Sequence, residues 1–460
     1  MSVDNSIRKP NIIPHIRYTY EIRMAFSFAK FLPRGSVVLA TTTFGSYALG
    51  LLRDRLLART FGAAGSLDSY NAAFLIPDFM FNLLVASGIA AAAVPLFTEL
   101  YQRSRKHAYE YMNSLLLAAI GIMAIVGVGM AVFAPTLSYL VAPGLSDEAH
   151  IYVARMMRII ALSPILFAAS NALGAMLVAQ KRFLFYGLSP IAYNIGIIFG
   201  VFSLTPSYGI MGVAYGTVIG AALHLGVRLI DAIHSGWRWQ LVWHFWHTPE
   251  IRRTVRLMLP KMIGHPVELV TFWIFTGLAS LLAPGSITVL NFARNFQSVP
   301  VSLIGIAMAT AVFPVLSQAA LSSPKKLQAT LRRTATTIVL ASSVAAIMLY
   351  AIRTPLITLL LGGGAFDADA IARTALVLGV FCLAIPTESV SHLLARAFYA
   401  TKDTITPVAF SIVSLIVAGG TAYGLLGSLG IIGLPLAFFI SSLVKTAGLW
   451  IFLSRKIAKA

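Results

Sequence analysis

Apolar positions in this chain come in long blocks. VVLATTTFGSYALGLL (37–52) and LLLAAIGIMAIVGVGMAVF (115–133) are typical, each free of Lys, Arg, Asp and Glu. A helix needs about 20 such residues to cross the hydrocarbon of a bilayer. Twelve spans are predicted on that basis, centred near residues 45, 85, 125, 167, 195, 220, 270, 305, 345, 387, 414 and 442. The connections between them alternate in charge. RSRK (103–106), QKR (180–182), WRWQLVWHFWHTPEIRR (237–253), the PKK and RR of 324–333 and the tail RKIAK are basic. PGLSDEAH (143–150), TPSYG (205–209), APGS (283–286), GGGAFDADA (362–370) and LGSLG (426–430) lack Lys and Arg. Basic connections stay in the cytoplasm, which puts both termini there. One stretch breaks the alternation: RDRLLAR (53–59) closes the first span on the side that should carry little positive charge.

The blocks also repeat. APTLSYLVAPG at 134 resembles TPLITLLLGGG at 354, and LVAQKR at 177 resembles FYATKD at 398. GIMGVA at 209 resembles GIIGLP at 430, and VPLFTEL at 94 resembles FPVLSQA at 313, so every offset is close to 220 residues. Six spans per repeat is an even number. Both halves then enter the membrane in the same sense, related by an axis along the membrane normal with a site between them. The expected fold is an all-α polytopic membrane protein with about twelve helices in two six-helix lobes, in the V shape of an alternating-access transporter. The expected divisions are a cytoplasmic N-terminal segment (1–35), an N-lobe (36–235), a cytoplasmic interfacial linker (236–250) and a C-lobe (251–460). In the linker, WRWQLVWHFWH reads as an amphipathic helix with its tryptophans at headgroup level.

Composition narrows the partners. The 460 residues are 58% hydrophobic and 11% charged, where a soluble domain carries about 25% charged residues. A formal charge of +19 would suggest nucleic acid in a soluble chain. Here basic residues gather in loops facing anionic lipid, so membrane lipids and no nucleic acid are the expected partners. Residues 1–35 hold no signal-peptide core. Cys382 is the one cysteine, so no disulfide or thiolate metal site forms within the chain. With no Walker A loop and no catalytic constellation, neither enzyme activity nor a cofactor is expected.

Ionisable residues inside the spans are the candidates for function, because each is costly in hydrocarbon. Arg53 follows the first apolar run directly and is expected to turn into the cleft, while Arg55 and Arg59 fit snorkelling at the outer interface. Asp68 fits either a cap on the helix it opens or a cleft group. Lys261, His265 and Glu268 in LPKMIGHPVELV share one helix face, with Pro266 loosening the backbone among them. A structural Lys–Glu pair and ion coupling through Glu268 both fit. Arg294 opens the matching span of the second half and would face Arg53 across the cleft. Glu388, beside the proline break in AIPTESVSH, is a second candidate for ion coupling.

GLLRDRLLARTFGAAGSLDSYNAAFLIPDFMFNLLVASGIAAAAVPLFTELY closely resembles the first two spans of the MurJ (MviN) family. The family pattern is G-x-x-RD-x-x-x-AR-x-FG-x-G-x-x-x-D-x-[FY], followed by IP and VP marks. NALGAMLVAQKRFLFYGLSPIAYNIGII, IGIAMATAVFPVLSQ and LLARAFYATKDTITPV extend the resemblance from about residue 36 to the C-terminus. It implies a MATE-like fold of the MOP exporter superfamily in a bacterial cytoplasmic membrane. It also implies a flippase of lipid II, the undecaprenyl-pyrophosphate-linked precursor of peptidoglycan. Arg53, Asp54 and Asp68 would line the cavity and bind substrate, with Arg294 joining them, since guanidinium holds a diphosphate through forked, charge-assisted bonds. Coupling would be to membrane potential or a monovalent cation, and cell-wall synthesis proteins are candidate partners. Tyr47 with Ser46, Phe81 with Asn82, and Asn295 stand where the family usually has arginine, and Ala86–Ser87 where it has an acid. The two last helices of many members are expected to be missing. A less cationic cleft keeps open an exporter of another polyprenyl-linked saccharide or a cationic drug, and a non-transporting scaffold.

Overall fold

The computed structural model describes residues 34–459 apart from residue 87 and residues 243–248 and 265–266. Almost all of the expected N-terminal segment 1–35 lies outside the described residues. All twelve predicted centres fall within helix, and the described residues contain no β-strand.

In the first half, α1 (Arg34–Phe61) is followed by α2 (Gly65–Phe81), a π-turn (Asn82–Ala86) and α3 (Ile89–Arg103). Then come α4 (Arg105–Val141), α5 (Asp147–Ile160) and α6 (Leu162–Ala179). The half closes with α7 (Phe183–Phe199), a π-turn (Gly200–Leu204), α8 (Thr205–Tyr208) and α9 (Ile210–His234). The second half begins with α10 (Pro249–Gly264), α11 (Val267–Ser280), α12 (Ser286–Pro300), a π-turn (Val301–Ile306) and α13 (Ala307–Ser322). It ends with α14 (Pro324–Leu360), α15 (Ala368–Phe381), α16 (Ala384–Ala400), α17 (Ile405–Leu429) and α18 (Gly433–Lys459). By length and composition, 8 helical stretches can cross a membrane, or 9 when α15 and α16, bent by 45°, count as one span. That is fewer than the twelve expected because α1, 28 residues long with RDRLLAR at its end, is not among them, because α11 is short, and because α17 and α18 count as one stretch.

The repeat is written into the backbone. α4 and α14 each have 37 residues and start after a serine, Ser104 or Ser323, whose side chain accepts from the N–H of His107 or Lys326. Lys181 and Lys402 both adopt the left-handed region, with φ of 59° and 60°, and Gly209 and Gly430 match at 56° and 54°. π-turns interrupt the corresponding pairs α2–α3 and α12–α13. At the turn before α7, Arg182 is bridged to Asp231. At the matching turn before α17 the charges are reversed, with Asp403 bridged to Lys456 at 2.8 Å.

Small residues let the helices approach. On α7, the π-turn after it and α9, Gly196, Gly200, Gly216 and Gly220 face one another, and a Cβ on Gly196 would lie 2.2 Å from the Gly220 Cα. Close backbone packing of this kind takes the place of a hydrophobic driving force between helices in lipid. One buried apolar cluster spans both halves, including Leu57, Ile76, Phe275, Leu290 and Phe381. The halves meet through α2 against α11 and α12, and through α10 against α3 and α4. The linker departs from expectation where it is described. Trp237–Val242 is not helical, and Trp237 is buried in the core of the first half. The side chain of Asn113 donates to the Arg238 carbonyl at 3.2 Å, which pins this segment as a strap. Trp243, His244, Trp246 and His247 lie outside the described residues.

Candidate functional site

At one end of the molecule the two halves are joined. Asp68, on the first turn of α2, is 2% exposed. Its carboxylate accepts from the Gly285 N–H at 2.6 Å, the Thr288 N–H at 2.8 Å and the Thr288 hydroxyl at 2.7 Å. Those are donors at the N-terminus of α12, where a helix leaves its amides unpaired and partly positive. Asp68 thus caps a helix of the opposite half. It does not cap α2, which has no side-chain cap, so the capping expectation is corrected, and in this conformation its carboxylate is taken up by the other half. The reason is the close approach of the turns around it. Gly285 has φ 86°, and a Cβ there would stand 2.0 Å from the Ala63 carbonyl oxygen.

The same end holds the rest of the RDRLLAR run. The Ala365 N–H donates to the Arg59 carbonyl at 2.8 Å, and the Arg55 guanidinium donates to the Leu359 carbonyl. The Arg55 side chain and the Arg59 backbone therefore bind the second half: Arg55 is tied where snorkelling was expected, while Arg59 stays exposed. The Gly144 N–H donates to Ser280 Oγ at 2.9 Å across the same boundary.

Arg53 lies deeper. Its Nε and Nη2 donate to Asp54 Oδ1 at 3.0 and 2.8 Å, and its Nη1 donates to Asn194 Oδ1 on α7 at 3.0 Å. The other Asp54 oxygen accepts from Asn295 Nδ2 on α12 at 3.3 Å. A polar chain, Asn194–Arg53–Asp54–Asn295, thereby crosses from one half to the other. The Arg53 side chain is 26% exposed, and a guanidinium has more N–H donors than these bonds use.

Arg294 does not face Arg53. Its Nη2 donates to Glu268 Oε1 at 3.1 Å, and its guanidinium lies 3.3 Å from the centre of the Phe272 ring. Asn295, one residue and about 100° further round the helix, makes the contact across the halves instead. Glu388 accepts from Gln297 Nε2 at 2.8 Å. Glu268 and Glu388 are brought together, lining a cavity of about 150 Å³ with His392, Lys445, Ser411 and Ser441. His265 and Pro266 lie outside the described residues, as does the Lys261 side chain, and the partner seen for Glu268 is Arg294.

Sequence reasoning passed over Lys445 and His392. Each is a polar residue within an apolar span, SSLVKTAGLW and SVSHLLAR, which was the available signal. It also passed over Arg228, 4% exposed, which donates to Ser189 Oγ, the Ser170 carbonyl and Asn171 Oδ1. In the first half a second cavity, of about 310 Å³, is walled by Phe74, Phe81, Phe167 and Tyr193 with Asp78 on its edge.

A duplicated helical fold, closed at one end by a cap reaching across the halves and holding charged groups between them, is the fold seen in solved MurJ and MATE structures. The sequence matches the family described as Lipid II flippase MurJ over residues 57–460, and the chain belongs to that family. Arg53 and Asp54 stand just before the matched region. A lipid II flippase MurJ of Burkholderia cenocepacia is 24% identical over 437 residues, which is 92% of this chain and 84% of that protein. A solved lipid II flippase MurJ in an inward closed conformation is similar with a TM-score of 0.77 and 23% identity, covering 92% of this chain and 90% of the other. An inward-facing multidrug resistance MATE family transporter of the MOP superfamily gives a TM-score of 0.74 at 14% identity, covering 90% and 95%.

Proposed function

We propose that this chain moves lipid II from the inner to the outer leaflet of a bacterial cytoplasmic membrane by alternating access. Family membership over residues 57–460 carries this reading. The charge of the connections supports an orientation with both termini in the cytoplasm, so that the end sealed by Asp68 faces outward and this conformation is closed to the outside.

Arg53 and Arg294 are positive groups on offer to a diphosphate, one from each half. A diphosphate has to leave water on one side and re-enter it on the other without crossing bare hydrocarbon, and fixed guanidinium groups in a hydrated cleft lower that barrier. Asp54 shares its oxygens between Arg53 and Asn295, so substrate binding at Arg53 and separation of the halves act on the same carboxylate. Glu268 and Glu388 are the candidates for coupling to a cation or to membrane potential.

Depletion of the resident flippase in a bacterial host tests the reading. The wild-type chain should restore growth and outer-leaflet lipid II, read with an impermeant label. Arg53→Ala should lose about 1.5–3 kcal/mol of charge-assisted bonding, roughly ten- to a hundredfold in affinity, and Arg53→Lys should recover only part because an ammonium lacks the fork. Full activity of Arg53→Ala at equal expression would make Arg53 a structural residue. Rescue by neither the wild-type chain nor its variants, with export of cationic dyes instead, would favour the aromatic first-half cavity with Asp78 as a drug site.

A further inference from the structure

We propose that the Arg294–Glu268 ion pair is a competition switch that ties binding of an anionic substrate headgroup to uptake of one proton in the second half. This rests on the reading that the substrate carries a diphosphate.

The pair is accessible, with the Arg294 and Glu268 side chains 29% and 55% exposed. A ligand arriving in the cleft can reach it. A diphosphate is a stronger partner for guanidinium than one carboxylate, because it offers more charge and matches the fork. Arg294 cannot swing freely to serve both, since the Phe272 ring lies 3.3 Å beneath its guanidinium. A headgroup that takes the fork displaces Glu268.

Glu268 then stands without that cation while still lining the cavity of about 150 Å³ that it shares with Glu388, His392 and Lys445. Before binding, the two carboxylates are balanced by Arg294 and Lys445. After binding, the ligand neutralises Arg294, and Lys445 is the remaining fixed cation among the described cavity residues, beside His392 and two carboxylates. Two carboxylates sharing one site do not both stay ionised, so one takes a proton from water and charge balance returns. Ser411, Ser414, Ser441 and Ser442 supply the polar lining that water needs to reach them. When the headgroup leaves, Glu268 pairs with Arg294 again and the proton is released.

Among the described residues, the ionisable groups facing Glu268 come from several neighbouring elements. α12 supplies Arg294, α16 supplies Glu388 and His392, α18 supplies Lys445, and α17 contributes only serines to the cavity. Arg396 of α16 lies within Coulombic reach of His392. Asp78 of α2 lies within Coulombic reach of Arg294 but is already held by Asn82 at 3.0 Å.

Titration calorimetry on the purified full chain tests the switch, with farnesyl diphosphate and lipid II as ligands in buffers of different ionisation enthalpy. Wild type should take up about one proton per ligand more than Glu268→Gln does, a difference that cancels protonation of the diphosphate itself. Wild-type affinity should rise by up to about tenfold per unit fall in pH at its steepest. Glu268→Gln should bind more tightly than wild type at neutral pH, because Arg294 has lost its charged competitor. Glu388→Gln should also lose the proton uptake, since Lys445 then balances Glu268, but should not gain affinity. Equal proton uptake in wild type and Glu268→Gln overturns the switch and leaves the flippase reading intact. Failure of both ligands to bind folded wild type overturns the flippase reading and the switch together.

Discussion

Asp68 shows how a single carboxylate can hold one end of a transporter shut. It accepts three hydrogen bonds from the other half, and bonds to an ionised group contribute about 1.5–3 kcal/mol each. Asp68→Asn keeps the shape but turns an amide donor towards donors. The closed arrangement should weaken by about 1–3 kcal/mol, a roughly 5- to 150-fold shift in the equilibrium. With Cys382 replaced by serine and Ser286 by cysteine, an impermeant maleimide should label position 286 several-fold faster in the Asp68→Asn background. An unchanged rate would mean that the cap does not limit opening. The sequence singled out Asp68 as a polar residue at a span's edge, yet its partners lie 217 and 220 residues away. No local pattern records a contact made across two halves of a chain, so its role was not legible there.

At the scale of elements the sequence read well wherever the signal was local. The runs at 177 and 398 and at 209 and 430 lie on the matching left-handed turns of the two halves. Lysine in that region is strained by its Cβ, at a cost of roughly 1 kcal/mol. Lys402→Gly should therefore stabilise the fold by about 0.5–1 kcal/mol, read as a rise in the midpoint of thermal unfolding. A fall would show that the lysine side chain contributes more than its backbone costs. Helix phase was the part that stayed hidden. Arg294 and Asn295 are neighbours in sequence, but only the seating of α12 between α1 and α11 decides that Asn295 meets Asp54 while Arg294 turns to Glu268. The pairing of Glu268 with Glu388 was hidden for the same reason, because it depends on how α11, α16 and α18 surround one cavity.

For the whole molecule, alternating access demands that the sealed end come apart in each cycle. Asn71 on α2 donates to Thr288 on α12 at 3.4 Å, so cysteines at these two positions can be joined by a short, reducible thiol cross-linker. The cross-linked protein should stop moving lipid, and reduction should restore it. Continued transport by the locked form would show that this end does not need to open. The duplication that makes this motion available also creates a hazard while the chain is being inserted. Related helices of the two halves have similar lengths and similar faces, and a partly built bundle could accept the wrong one. The reversed bridges, Arg182–Asp231 and Asp403–Lys456, act on that choice. If α9 settled into the place of α18, Asp231 would meet Asp403, and the opposite exchange would set Lys456 against Arg182. Like charges at such corners repel, so each half carries a mark of ownership that biases assembly towards its own last helix.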